Sequence, residues 1–314
     1  MNISVVVPVY NSARSLELLV DRLEPVLKAC ADQFELVLVD DESKDDSWEV
    51  IVALCNDHSW IRGFQLMQNS GQHGALLCGI RAVQYEIVVT IDDDLQHPPE
   101  EIPKLLDELR RGADVVYGTP EQERHNFLRV LSSRLTRLAL KSAMGVDVAR
   151  NVSAFRAFRT GVREGFSSYS GSFVSIDVLL TWATTRFAAT SVRHDERPYE
   201  ASQYTFRKLV THALNMMTGF SVVPLQVASL AGILFTLFGF GVLTFVLVRW
   251  FIYGSVVPGF AFLASIISVF AGAQLFALGI IGEYLARMHF RIMDRPPYVI
   301  RGQGIPKVDE LDKT

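Results

Sequence analysis

Two long runs without a single charge constrain this chain more than any other feature. No Asp, Glu, Lys or Arg occurs from Leu209 to Val248, or from Trp250 to Gly282. Each run exceeds the roughly 20 residues that cross a bilayer core. The spacing predicts one span at about Val222 to Val248 and a second at about Phe260 to Gly282, with a short turn around Arg249 to Pro258. The alternative, a helical hairpin buried in a soluble protein, would not need runs this long. Two spans return the chain to its starting side. Arg287, Arg291, Arg295 and Arg301 follow the second span while the turn holds only Arg249, so the positive-inside bias places both termini in the cytoplasm. Met1 to Pro8 has no basic leader and too short an apolar run for a signal peptide, which agrees with a cytosolic N-terminal part.

Ahead of the spans the chain is charged and mixed. A net charge of −4, with no basic stripe interleaved with aromatics, argues against a nucleic-acid partner. Cys30, Cys55 and Cys78 are odd in number and lack metal-type spacing, so they read as reduced packing residues.

Short apolar, β-rich runs alternate with helical stretches: Ile3 to Pro8, Glu35 to Asp40, Gly63 to Met67, Glu86 to Asp92 and Asp114 to Tyr117. That alternation predicts an α/β domain with a mainly parallel sheet covered by helices. Ser12 is placed to cap a helix whose Leu16, Leu19, Leu23 and Leu27 recur at helical spacing. Prolines near the start of a later helix, at Pro98 and Pro99, suit its first turn. Acidic clusters end the second run, at Asp40-Asp41, and the fourth, at Asp92-Asp93-Asp94. Ligands of open α/β sheets bind beyond the carboxyl ends of the strands, so two clusters on one rim predict one site. Beyond Tyr117 come a basic helix candidate from Asn126 to Met144 and an amphipathic, interfacial stretch around Phe206 to Met217.

Asp92 and Asp94 fall on one side of an extended segment, where side chains alternate with a period of two, so both can hold one cation. Carboxylates with water and phosphate oxygens suit Mg2+ or Mn2+, which neutralises a leaving diphosphate. Asp40, at a strand end, can accept from ribose hydroxyls or a base N–H. Gly71 and Gly74, around Gln72-His73, let backbone approach a ligand.

The runs Val5-Val6-Val7-Pro8-Val9-Tyr10-Asn11, Leu38-Val39-Asp40-Asp41-Glu42-Ser43, Asn69-Ser70-Gly71-Gln72-His73-Gly74-Ala75 and Asp92 to Glu100 resemble the family 2 glycosyltransferases of GT-A fold. They are most similar to the dolichol-phosphate mannose synthase branch, with its bacterial polyprenyl-phosphate glycosyltransferases that also end in two spans. The resemblance implies a nucleotide-sugar-binding domain whose donor set is Pro8, Tyr10, Asn11, Asp40, Asp41, Asn69, Gly71, Asp92 and Asp93. It implies a metal, Mg2+ or Mn2+, on Asp92, Asp94 and Gln96. On the acceptor side it implies Arg124, Arg129, Ser133 and Arg197, the last three acting with Asp94 in catalysis. Two positions depart from the family pattern. Gln203 stands for a lysine between Ser202 and Tyr204, and the Asp-x-x-Ser-Gly-Phe-Arg type of block reads Arg150-Asn151-Val152-Ser153-Ala154-Phe155-Arg156.

The expected organisation is a cytoplasmic GT-A domain over 1–200, an interfacial segment over 201–221, two membrane helices over 222–284 and a cytoplasmic tail over 285–314. The expected activity is inverting transfer of one hexose or pentose from a UDP- or GDP-linked donor to a polyprenyl phosphate, in a bacterial inner membrane. Alternatives are a processive polysaccharide synthase and a non-catalytic membrane scaffold. Arg249-Trp250, the only Arg-Trp pair, lacks the Gln-x-x-Arg-Trp context of processive synthases. Small residues such as Ala228 and Gly232 would allow close helix contacts, leaving a homo-oligomer open.

Overall fold

The computed structural model describes residues 1–120, 152–171, 174–195, 223–254, 259–293 and 296–304. After Asn2 every residue of the first strand, β1 (Asn2–Val9), is buried. Such a run, apolar on both faces, belongs in the middle of a parallel sheet. β1 pairs in parallel with β2 (Gln33–Asp40) on one side and β4 (Ile87–Thr90) on the other, and β2 pairs in parallel with β3 (Ile61–Leu66). β6 (Arg156–Arg159) runs antiparallel between β4 and β5 (Val115–Pro120), and β7 (Phe187–Val192) lies parallel to β5. With β8 (Ile300–Gly304), the full order is β7-β5-β6-β4-β1-β2-β3-β8.

Helices cover both faces. α1 (Ala13–Cys30), α2 (Ser47–Asp57) and α4 (Ile102–Arg110) pack on one, and α3 (Gln72–Ala82) and α5 (Ile176–Ala183) on the other. Leu16, Leu19, Leu23 and Leu27 of α1 are fully buried, as their spacing predicts. Truncating any one to Ala would cost about 2–5 kcal/mol. α3 lies against β1 because Gly79 has no side chain, since a Cβ there would come within 2.4 Å of Val6 Cγ1. Ser12 sits at the N-cap of α1, but its hydroxyl makes no capping bond and donates instead to the Tyr10 carbonyl at 3.2 Å. Cys55 and Cys78 are buried and free, and burial pushes their thiols up to about 11 and about 12.

The charge-free runs form α6 (Val223–Tyr253) and α7 (Phe260–Ile292), each longer than the span read from sequence. Their apolar windows, Pro224–Ile252 and Val269–His289, have mean hydropathies of 2.4 and 1.5, and neither is buried by protein. Leu237, Phe240 and Leu275 stand in the open, so the buried-hairpin alternative fails. Exposed apolar surface this continuous needs a lipid solvent, and the chain is a membrane protein. The two helices touch through Phe235 and Phe270, edge to face at 5.6 Å.

The segment after α7 does not trail away as a separate tail. β8 pairs antiparallel with β3, from Gly63 opposite Gly304 to Leu66 opposite Ile300, with an irregularity between Gln65 and Leu66. The expected boundary at 285 is therefore crossed by the sheet itself. Alternation alone could not reveal this, because β8 is a short Gly-containing strand, IRGQG, defined by its partner. The basic helix candidate at 126–144 and the interfacial stretch at 206–217 lie outside the described residues.

Candidate active site

Strand order reverses at β1: β2 and β3 extend to one side and β4 to the other. The crevice beyond the carboxyl ends of β1 and β4 is the switch point where open α/β sheets bind ligands. Parallel pairing puts Val9 level with Asp40, and the Ile91 N–H bonds the Val6 carbonyl at 3.2 Å. The two acidic clusters thus share one rim, with the end of β1 between them.

Three loops on this rim contain a non-glycine residue in the left-handed region: Asn11 at φ 56°, Glu42 at φ 60° and Leu95 at φ 60°. Among the described residues no other non-glycine residue has positive φ. A bulky residue such as Leu95 adopts that conformation at a cost of about 1–3 kcal/mol, so tertiary contacts hold these turns. Asn11 accepts from the Lys44 N–H through Oδ1 at 2.7 Å, and its own N–H donates to Ser43 Oγ at 2.9 Å. The loops after β1 and β2 are therefore one unit. Tyr10 remains 44% exposed, leaving its ring open to a ligand, and its N–H donates to Asp93 Oδ2 at 3.3 Å. Pro8, inside β1, is buried.

Asp92 follows the end of β4, and Asp93 and Asp94 form a turn. The extended geometry expected for the triplet is absent, because Asp94 Oδ1 accepts from the Gln96 N–H at 3.0 Å and closes the chain on itself. Asp92 Oδ1 accepts from Gln72 Nε2 at 2.7 Å. Burial, then the charges of Asp94 and Asp93, raise the Asp92 carboxyl to about 7. Burial raises that of Asp93 to about 6, against the lowering hydrogen bond from the Tyr10 N–H. Among the described residues, no three or more His, Cys, Asp or Glu side chains converge on one cation position. Two carboxylates and a neutral Gln96, with the balance from diphosphate and water, fit Mg2+ or Mn2+ better than a metal held by protein alone. A cation would relieve the repulsion that Asp93 and Asp94 exert on Asp92 in this turn.

Asp40 is fully buried. Its Oδ1 accepts from the Ser43 N–H at 3.2 Å, while Oδ2 has no protein partner. A buried orphan acceptor at a strand end fits the donor N–H or O–H of a nucleoside. Asp41 serves the neighbouring loop: Oδ1 accepts from the Ser70 N–H at 2.6 Å, and burial raises its carboxyl to about 6. Asn69 joins it, donating Nδ2 to the Asp41 carbonyl at 3.1 Å and its N–H to Glu42 Oε2 at 2.8 Å. Gly71, at φ 77°, makes the turn into α3.

Several residues that shape the site do so through partners that no local pattern names. Gln72 reaches Asp92 across 20 residues. His73 Nδ1 accepts from the Ile176 N–H at 3.3 Å and so joins α3 to the first turn of α5. Behind the acidic turn, buried Arg156 pairs with Asp177, which also accepts from Tyr117 Oη at 3.2 Å. His97 stacks on Phe155 at 5.4 Å beside His194, and burial drives its imidazole down to about 4. The Gln96 carbonyl accepts from the Asp195 N–H at 2.9 Å, which brings the chain after β7 to the acidic turn. Arg124, Arg129, Ser133, Arg197 and the Ser202-Gln203-Tyr204 stretch lie outside the described residues.

A mixed sheet of this order, with an acidic turn at its switch point, defines a glycosyltransferase of GT-A fold. The model of glycosyl transferase family 2 matches residues 4–165, and the chain belongs to that family. It is 31% identical over 302 residues to the undecaprenyl-phosphate 4-deoxy-4-formamido-L-arabinose transferase of Yersinia enterocolitica, covering 95% of this chain and 92% of that one. The enzyme of the same description from Photorhabdus laumondii is 32% identical over 303 residues, covering 95% and 93%. Among solved structures, glucosyl-3-phosphoglycerate synthase of Mycobacterium tuberculosis with Mn2+, uridine diphosphate and glucosyl-3-phosphoglycerate superposes with a TM-score of 0.52. Its identity is 20%, with 69% of this chain and 77% of that chain covered, a likeness of fold.

Proposed function

We propose that this enzyme transfers one sugar, with inversion, from a nucleotide sugar to the phosphate of a polyprenyl lipid at the cytoplasmic face. The observation that carries the reading is an acidic turn at the switch point of the sheet, in the same chain as two exposed apolar helices. The Yersinia and Photorhabdus relatives, by name undecaprenyl-phosphate transferases, align over a length that includes both helices. That alignment favours a single-sugar lipid transferase over a polysaccharide synthase or a silent scaffold.

In this reading Asp92, Asp94 and Gln96 hold Mg2+ or Mn2+, which offsets the charge of the departing diphosphate. Mn2+ and uridine diphosphate in the Mycobacterium synthase support this choice of metal and donor class. Asp40 Oδ2 accepts from the nucleoside, Tyr10 flanks it, and the Asn11, Asp41, Asn69 and Gly71 loops shape its walls. The acceptor needs no carboxylate base. A phosphate monoester has a second pKa near 6 and presents an anionic oxygen at neutral pH. The site must instead supply positive charge and a neutral donor, the roles assigned to Arg129, Arg197 and Ser133. Pairing of β8 with β3 supports both spans returning the chain to one side, and the arginines after α7 support that side being cytoplasmic.

The test uses purified protein in detergent with Mg2+ or Mn2+, polyprenyl phosphate and a panel of nucleotide sugars. Nucleoside diphosphate should appear only with lipid present, and the lipid should gain one sugar by mass spectrometry. A polymer would favour the synthase, and no release from any donor would overturn the proposal.

A further inference from the structure

We propose that the chain leaving α7, residues 297–301, positions the β3–α3 loop of the donor site, making the segment after the second span part of the donor-binding apparatus. The inference rests on the reading of the acidic turn as the metal and diphosphate site.

The contacts form a continuous path. The Met67 N–H donates to the Val299 carbonyl at 2.8 Å, and the Met67 carbonyl accepts from Arg301 Nη2 at 3.1 Å. Both polar groups of the first loop residue are therefore held by the post-span chain. At the far end of the loop, a Cβ on Gly74 would stand 3.7 Å from the Pro297 carbonyl oxygen, so the chain passes directly over the start of α3. Tyr298 packs on the α3 face, 5.8 Å from the Arg81 guanidinium. Between these anchors the loop carries Asn69 and Ser70, bonded to the loop after β2, and ends in Gln72, bonded to Asp92. The Gln72–Asp92 bond lies in a loop that the post-span chain contacts at both ends. The residues supplying the hold come from beyond the membrane helices, more than 200 positions away in sequence; Arg301 and Met67 are 234 apart. Val299, Tyr298 and Arg301 are thus positioning residues that act on the donor site through Met67 and Gln72.

Full-length protein in detergent carries the test, with Arg301→Ala, Tyr298→Ala, both together, and Arg301→Lys as the conservative variant. Arg301 is exposed and its side chain makes one hydrogen bond among the described residues, so Arg301→Ala should leave the fold intact. The readouts are Mn2+-dependent affinity for uridine and guanosine diphosphates, KM for donor and for lipid phosphate, and amide hydrogen exchange over 67–72. Arg301→Ala should weaken nucleoside diphosphate binding about fivefold, the size of one ordinary net hydrogen bond. The double variant should lose more. Exchange over 67–72 should rise, lipid KM should hold, and Arg301→Lys should recover part of the loss. Unchanged nucleotide affinity in Arg301→Ala and in the double variant would overturn the inference, as would a change confined to lipid KM. A parent protein that binds neither diphosphate with Mn2+ would overturn the underlying reading as well, which separates the two failures.

Discussion

Gln72 donates its side-chain amide to Asp92 Oδ1 at 2.7 Å, joining the first turn of α3 to the acidic turn after β4. Burial, then the charges of Asp94 and Asp93, raise the Asp92 carboxyl to about 7, and this bond acts in the lowering direction. Replacing Gln72 by Leu should free the Asp92 side chain and cut kcat/KM about tenfold to a hundredfold, as expected for a hydrogen bond to a charged group. Steady-state kinetics at saturating metal would check this, and wild-type kcat/KM would mean that Asp92 is oriented by other contacts.

Asp94→Ala should abolish transfer while the protein stays folded and in the membrane. Loss of a group that stabilises the leaving diphosphate costs on the order of 3 kcal/mol or more, a hundredfold in rate. Asp92→Ala should behave alike, and Gln96→Ala should be milder because a neutral ligand contributes less charge. Wild-type turnover in Asp94→Ala would end the metal assignment.

Cation binding should weaken with acidity. Asp92 and Asp93 have carboxyls raised to about 7 and about 6, so below those values a cation must displace protons to bind. The stability term has the matching sign. With folded values above unfolded ones, their contribution to metal-free stability is complete below the unfolded carboxylate value and is lost as pH rises through about 6 to 7. Thermal melts with and without Mn2+ should therefore diverge as pH rises through that window; a constant Mn2+ effect from pH about 5 to about 8 would contradict this.

Arg156→Met should destabilise the domain by about 3–5 kcal/mol, because it strands the buried Asp177 carboxylate. Adding Asp177→Leu should recover much of the loss, since an apolar pair of similar bulk leaves no buried charge. Denaturant melts of the two single variants and the double variant form the cycle, and additive losses would show that the pair is not coupled.

By the sequence reading, a chain ending at Thr218 retains the whole donor site. It lacks β8, however, and leaves the edge of β3 unpaired, a template for aggregation. Such a fragment should aggregate more and bind nucleoside diphosphate more weakly than one to which residues 296–304 are joined by a flexible linker. Light scattering and nucleotide titration would compare them, and equal behaviour would show that β8 contributes nothing to the sheet.

Patterns within one segment of chain were legible in the amino-acid sequence. Apolar runs between helical repeats announced β1 to β5, the leucines of α1 declared their buried face, and two charge-free stretches declared the membrane helices. The placing of Asp40 and the Asp92–Asp94 triplet on one rim was readable because both follow apolar strand runs. Contacts between distant segments were not legible. Ser12 had the signature of a cap and bonds elsewhere, while the triplet, which reads as extended, is a turn closed by Asp94 on the Gln96 N–H. Gln72 with Asp92, His73 with the Ile176 N–H, and β8 with β3 are likewise invisible to any local pattern. Periodicity records which side of its own element a residue faces, and that depends on local backbone geometry. Which partner meets that side depends on the packing of the whole chain, and only the tertiary structure decides it.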